Sequence, residues 1–323
     1  MFLSMQLLSA VSFSAPPLSQ TDLDEILKKF VNQGAQQLYK GTFVYLSGDE
    51  SLQTFRVSRE EDKQGIIREI FVPLDNNSPE SKRLLKNQYC RLNNGWKYQF
   101  QAFSSSFPFR INNKLVYLQK NYKIKPVRLE RVAGLNARHI SVSPRDRFRY
   151  GYELWFEPET GILLKYQLKN DRNENVEQYL FSTIQIQQPD HIQQPRISAD
   201  NITTRPLSSE TIPICSALDA DNAKKIAQFI NQTMLPPGFQ IISYRQNHLK
   251  NTSKQAQKLH LSDGLASVSV FIEELDDSAR AMEGIAKIGP LTVAGKSMDN
   301  YQITVVGAVP VDTAIVILDS IKK

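Results

Sequence analysis

The chain has 323 residues, 41% of them hydrophobic and 22% charged, with a net charge of +6. That length fits roughly two domains of ~100–200 residues each. The apolar share is too high for a disordered chain, and no run reaches the ~18 apolar residues of a membrane span. The charge is uneven. Residues from 216 onward are balanced, with 11 Lys/Arg against 11 Asp/Glu, whereas Lys114 to Arg149 holds ten Lys/Arg against Glu130 and Asp146. A local field of that sign favours acidic partners: an acidic polypeptide, lipid phosphates or nucleic acid.

The first 15 residues, MFLSMQLLSAVSFSA, are apolar and small. They predict a secretory signal peptide over 1–15, although no Lys or Arg opens it. Thr21 starts a helical pattern with Ile26, Leu27, Phe30 and Val31 on one face, ending near Tyr39-Lys40-Gly41. From Gly41 the period changes to two. GTFVYL, LQTFRVS, GIIREIFVPL, YCRL, WKYQFQAF, VRLERV and ARHISVS read as short strands separated by turns, with Gly134 in a tight turn. In GYELWFEPETGILLKYQL, Tyr152, Leu154 and Phe156 share one face, and Ile162, Leu164, Tyr166 and Leu168 share one face of the return strand. Gly161 supplies the left-handed position of that hairpin. VEQYLFSTIQI follows as the next strand. Four prolines among Gln, Ser and Thr then mark 189–214 as a linker that lets the flanking domains move.

Beyond the linker, FQIISYR, AQKLHLS, ASVSVFIEEL, LTVAGKSM and YQITVVG read as strands, and Ala223–Ile230, Ser278–Ile288 and Val311–Ile321 as helices. The domains are therefore a large unit over 20–188 and a small α+β unit over 215–323. Gly264, in a Ser-Asp-Gly turn, is expected at positive φ.

Motifs of known chemistry are absent. GPLTVAGKS lacks the first glycine of a phosphate loop at the required spacing and sits between strand patterns. The four histidines form no HExxH, and there is no C-x-x-C or GxSxG. The chain reads as a non-enzyme without cofactor or metal. Cys90 and Cys215 either pair or remain separate thiols, and their spacing does not choose.

Four ordered stretches, YKGTFVY (39–45), RYGYELWFEPETGILLKYQL (149–168), LPPGF (235–239) and SDGLASVSVFIEEL (262–275), supported by YQITVVGAVP (301–310), resemble the RseB/MucB family of periplasmic sigma-E regulatory proteins. The resemblance implies a mainly β fold. Its large domain would be an unclosed antiparallel half-barrel with helices on the concave face, similar to LolA and LolB, followed by the small α+β domain. It also implies a negative regulator in the periplasm. Such a protein binds the periplasmic segment of a membrane-spanning anti-sigma factor of the RseA or MucA type and hinders its first proteolytic cut. A lipid, lipopolysaccharide or lipoprotein ligand could occupy the half-barrel, and a lipid or lipoprotein carrier is the alternative reading. Nucleic acid is not an expected partner, and a homo-oligomer stays open.

The residues expected to meet partner or ligand are Lys123, Lys125, Arg128, Arg145, Arg147, Arg149, Tyr152 and Phe156. The arginines are read as an electropositive rim and the two aromatics as part of an apolar cleft. The competing reading of the arginine-aromatic stretch as a base-stacking platform is set aside in favour of sheet packing.

Overall fold

The structure is a computed structural model that describes residues 25, 29, 37–48, 52–61, 67–75, 88–91, 97–100, 115–187, 226, 228–248, 255–275 and 281–322. The expected signal peptide, the linker and Cys215 lie outside these residues. So does most of the helix read from Thr21, of which residues 25 and 29 are helical.

The first part of the chain forms β1 (Tyr39–Ser47), β2 (Gln53–Glu61), β3 (Ile67–Pro73), β4 (Gln88–Arg91) and β5 (Lys97–Phe100). A short helix α1 (Leu115–Asn121) leads into β6 (Tyr122–Val132), β7 (Leu135–Pro144), β8 (Gly151–Phe156), β9 (Leu163–Lys169) and β10 (Asn175–Ile186). Eight of these strands make one antiparallel sheet in the order β3-β2-β1-β10-β9-β8-β7-β6, while β4 and β5 pair separately. The order ends in two different strands, so the sheet is unclosed. Consecutive strands are hairpin neighbours except where β1 pairs with β10.

Alternation along the strands sets which face is buried. In β9 the pattern places Leu164, Tyr166 and Leu168 inside, and in β1 Tyr39, Phe43 and Tyr45. Each large apolar side chain so enclosed contributes roughly 1.5–3 kcal/mol. Turn chemistry follows the sequence. Ala133 (φ 50°) and Gly134 (φ 80°) form the two-residue turn between β6 and β7, and Gly161 (φ 72°) closes the β8–β9 loop. In that loop the Glu157 carboxylate accepts the Thr160 N–H at 2.6 Å.

The second sheet contains β11 (Gln240–His248), β12 (Gln255–Ser262), β13 (Ser267–Glu274), β14 (Gly284–Ile288), β15 (Leu291–Met298) and β16 (Tyr301–Gly307), in the order β11-β12-β13-β16-β15-β14. Helix α2 (Val311–Asp319) buries Ala314, Ile317 and Leu318 in the core of this sheet.

Three local readings are corrected. Tyr39 and Lys40 belong to β1 rather than to the end of a helix, because their backbones pair with β2 and β10. Gly284–Ile288, read as part of a helix, is a strand. Gly289-Pro290 folds it back on Leu291–Met298, and hairpin pairing overrides the helical spacing of its apolar residues. Strand β6 begins at Tyr122, well before the VRLERV segment. Its lysines and Pro126 suit a strand at the edge of a sheet.

The two parts of the chain expected to flank a linker also meet directly. Leu265 and Ala308, from the second sheet's portion of the chain, are enclosed in the same apolar cluster as Tyr122, Tyr150 and Tyr152 of the first. The two parts share a packed junction.

Candidate partner-binding surface

The junction is built around the loop between β7 and β8, the stretch that carries Arg145, Arg147 and Arg149. Asp146 organises it: its carboxylate accepts the Phe148 N–H at 3.0 Å and faces the Arg149 Nε at 3.4 Å. The loop then touches four elements of the small domain. Arg149 donates to the Pro237 carbonyl and faces Asp263 in the β12–β13 turn at 3.3 Å. Thr313 of α2 donates to the Phe148 carbonyl. Arg147 pairs with Asp312 at 3.2 Å, and Lys287 of β14 donates to the Tyr150 hydroxyl at 3.2 Å.

Arg149 is the centre of this arrangement. Its side chain and that of Asp263 are both 0% exposed. The guanidinium lies 5.5 Å from the ring centroids of Tyr122 and Phe239, one from each domain. Asp263 is fully engaged. One carboxylate oxygen accepts the N–H groups of Leu265 and Ala266 at 2.9 and 2.8 Å. The other accepts the Tyr122 hydroxyl at 2.9 Å and faces Arg149. Burial pushes the Asp263 carboxyl above its ordinary range. The charge of Arg149 and the hydrogen bonds of Leu265, Tyr122 and Ala266 oppose this without cancelling it. Burial, with the charge of Asp263 beside it, holds the Tyr122 hydroxyl well above its usual range.

Arg149 is therefore not part of an exposed rim. It is a buried cation joining the domains, held among a carboxylate, a carbonyl and two aromatic faces. Tyr152 and Phe156 are corrected in the same way. They are 1% and 0% exposed and belong to an aromatic row across the inner face of the large sheet. Ring centroids step from Tyr122 to Tyr152 (6.1 Å), Tyr166 (6.1 Å), Tyr179 (6.0 Å) and Phe43 (5.8 Å). Enclosed rings at these spacings are core packing.

The remaining predicted cations are exposed. Lys123, Lys125 and Arg128 lie along β6, a free edge of the large sheet, with Lys120 before them and Arg131 after. Arg145 is exposed while its Nε donates to the carbonyls of Gln119 and Tyr122 at 3.0 and 3.2 Å. Arg147 is 74% exposed beyond its contact with Asp312. The strip is thus continuous in chain terms, from the end of α1 along β6, and is joined by the outer part of the junction loop.

A second ionic cluster lies on the outer face. Glu130 of β6, His139 of β7 and Glu153 of β8 sit on adjacent strands. The His139 ring stacks on Trp155 at 4.1 Å, with Nε2 2.6 Å from Glu153 and Nδ1 3.2 Å from Glu130. Arg128 bonds Glu130 at 2.7 Å, Ser141 donates to Glu153 at 2.9 Å, and Lys165 covers Trp155 at 4.0 Å. These groups tie the edge strand to its neighbours. Among the described residues, no three His, Cys, Asp or Glu side chains are placed to hold a metal ion, and no helix is long and apolar enough to cross a membrane.

Sequence reasoning missed Asp263, Tyr122 and Phe239 as partners of Arg149. The SDG turn was legible, but nothing local says that its carboxylate is buried against a distant arginine.

A family model described as the MucB/RseB N-terminal domain matches residues 22–207, and one described as the MucB/RseB C-terminal domain matches residues 224–322. The sigma factor AlgU regulatory protein MucB of Pseudomonas aeruginosa is 28% identical over 315 residues, which is 96% of this chain and 94% of that protein. The sigma-E factor regulatory protein RseB of Escherichia coli is 27% identical over 218 residues, 67% of this chain and 64% of that protein. The crystal structure of MucB in complex with MucA(peri) is similar at a TM-score of 0.62 and 24% identity, covering 93% of this chain and 98% of that one. A second MucA/MucB complex from Pseudomonas aeruginosa is similar at a TM-score of 0.64 and 23% identity, with the same coverage. At these identities the structural likeness speaks for the fold.

Proposed function

The chain belongs to the MucB/RseB family, and from that premise we propose that it is a periplasmic sigma-factor regulator. It binds the periplasmic segment of a single-span anti-sigma factor and acts by shielding that segment from its first proteolytic cut rather than by catalysis. The observation that carries the reading is the paired architecture. Both family domains occur in order across the chain, and Arg149 and Asp263 join them through a buried ion pair. A partner can then be held by one continuous surface rather than by two loosely tethered ones. The apolar start of the chain supports export.

The exposed cations Lys123, Lys125, Arg128, Arg145 and Arg147 attract an acidic stretch of that segment. Charges of this kind act mainly on association rate and are weakened by salt. The carrier alternative is less well supported, since the aromatic side chains of the inner face, Tyr152 and Phe156 among them, are enclosed.

The test is titration of the purified mature chain with the recombinant periplasmic segment, together with the rate at which the site-1 protease cuts that segment. Binding with slower cutting supports the regulator. No binding, with capture of many lipoproteins from the envelope, supports the carrier. Reversing the five exposed cations to Glu is expected to slow association and flatten its salt dependence while circular dichroism stays unchanged.

A further inference from the structure

The two sheets leave four free edges among the described strands: β3, β6, β11 and β14. A free edge presents unpaired backbone N–H and C=O groups, and proteins blunt such edges with proline, bulges and charge. Three of the four carry such devices. β6 has Pro126, a bulge between Pro126 and Leu129, and Lys123, Lys125, Arg128 and Arg131. β11 has an irregularity between Ile241 and Ser243, followed by Arg245. β3 carries Arg68 and Glu69 and ends in Pro73.

β14 has neither a proline nor a bulge, and its single charge is Lys287. Its sequence is GIAKI, its pairing with β15 is regular over all five residues, and every residue is exposed. Ile285 and Ile288 are 48% and 58% exposed, and Met282 just before the strand is 45% exposed. Hydrophobic side chains and an open ladder on one strand are the combination that another strand completes.

We infer that β14 receives an extended, acidic segment of the anti-sigma partner as an added strand. This inference rests on the function proposed above and locates part of its contact. Main-chain hydrogen bonds would supply affinity and the exposed isoleucines would supply apolar contact. The charge of the occupant follows from the surroundings. Lys287 is the one charged residue of the strand, and its ammonium reaches Tyr150, directly after the loop that carries the exposed Arg145 and Arg147. Glu283, at the strand's start, is engaged by the Ser297 hydroxyl. A second copy of this chain is the less favourable occupant, since it brings its own charge of +6 to a cationic surface.

The experiment compares wild type, Ile285→Glu, Ile285→Lys and, as a control for loss of an exposed aliphatic, Leu52→Glu. Each is titrated with the recombinant periplasmic segment of the anti-sigma factor. Strand addition predicts at least tenfold weaker binding for both Ile285 variants and unchanged binding for Leu52→Glu. It also predicts slowed amide exchange over Gly284–Ile288 when the segment is added to wild type. If wild type fails to bind the segment, the proposed function itself falls. If wild type binds and both Ile285 variants bind equally well, only the edge inference is overturned. Tighter binding by Ile285→Lys with weaker binding by Ile285→Glu would reduce the effect to net charge and would also overturn it. Sedimentation of wild type and both variants distinguishes the second copy. A dimer that both variants dissolve, with segment binding intact, would make this chain the occupant instead.

Discussion

The junction cluster and the outer-face cluster are made of similar parts arranged in different surroundings. At the junction, Arg149 and Asp263 are sealed from water, and the carboxylate accepts three hydrogen bonds beside the guanidinium. On the outer face, Glu130 and Glu153 bracket His139 with side chains 24%, 22% and 12% exposed. Water can replace part of what a lost partner supplied on the outer face. It cannot do so at the junction without opening the domains. Burial therefore decides how much each contact matters, more than its geometry does. An intact buried pair adds little net stability over an apolar replacement, yet removing one partner strands the other.

The sharpest way to break this comparison is to remove one member of the buried pair. Arg149→Ala or Asp263→Ala is expected to lower unfolding stability by about 3–5 kcal/mol. The double variant should lose much less than the two losses added together, because neither charge is then left alone. Urea unfolding of the four proteins measures the cycle. Additive losses would mean that the two residues act independently, and the contrast with the outer face would fail.

Gly264 gives the next largest effect and separates the turn from the ion pair it holds. Its φ is 105°, and a Cβ there would stand 3.0 Å from the Leu118 Cδ2 across the junction. Gly264→Val is expected to cost about 1–3 kcal/mol from backbone strain. Because the obstructing atom belongs to α1 of the large domain, that cost should shrink when Leu118→Ala is added. Thermal unfolding of the single and double variants checks it, and an unchanged transition for Gly264→Val would remove the turn from the account.

Much of this architecture could be read from the chain. Alternation in GYELWF and LLKYQLK placed Tyr152, Leu154, Tyr166 and Leu168 on one face, and the turn glycines 134, 161 and 264 are where the turns required them. Strand β14 was hidden because Ile285 and Ile288 are spaced as on a helix, and only pairing with β15 decides otherwise. The arginines were legible as a cluster but not as individuals. Arg145, Arg147 and Arg149 share a composition and a loop, and only the last meets a buried carboxylate from a turn far along the chain. Local sequence carries period and turn chemistry, while the fate of a charge depends on what tertiary packing brings to it.

On the outer face the expected effects are smaller. Glu153→Gln keeps the shape of the side chain and removes its charge from His139 and Ser141. The loss should be about 1 kcal/mol or less, in the range of partly exposed ion pairs. It should shrink further in high salt, which leaves the Arg149 cycle almost unchanged. A loss as large as that of Asp263→Ala would show that exposure is not the deciding variable.

The finest test uses the sign of pH dependence. Burial raises the Asp263 carboxyl above its ordinary value of 3.8 despite Arg149 and its hydrogen bonds. The folded protein then holds that proton more tightly than the unfolded chain. Asp263 thus contributes a stability term that is greatest below the ordinary value and declines as pH rises through the folded one. Glu130 has the opposite sign. Desolvation works against its ionisation, but the hydrogen bonds of Arg128 and Trp155 and the charges of Arg128 and His139 outweigh it and hold the carboxyl below its ordinary 4.5. Its contribution is present above that ordinary value and is lost as pH falls through the folded one. Urea unfolding of wild type, Asp263→Asn and Glu130→Gln over about pH 3–7 isolates the two terms as differences from wild type. Loss of the Arg149 pair offsets the Asp263→Asn curve, but the slope of the difference remains readable. Slopes of opposite sign are expected. Slopes of the same sign would mean that the junction carboxylate is stabilised as an anion by Arg149 more than burial opposes it, and the two clusters would then differ in strength alone.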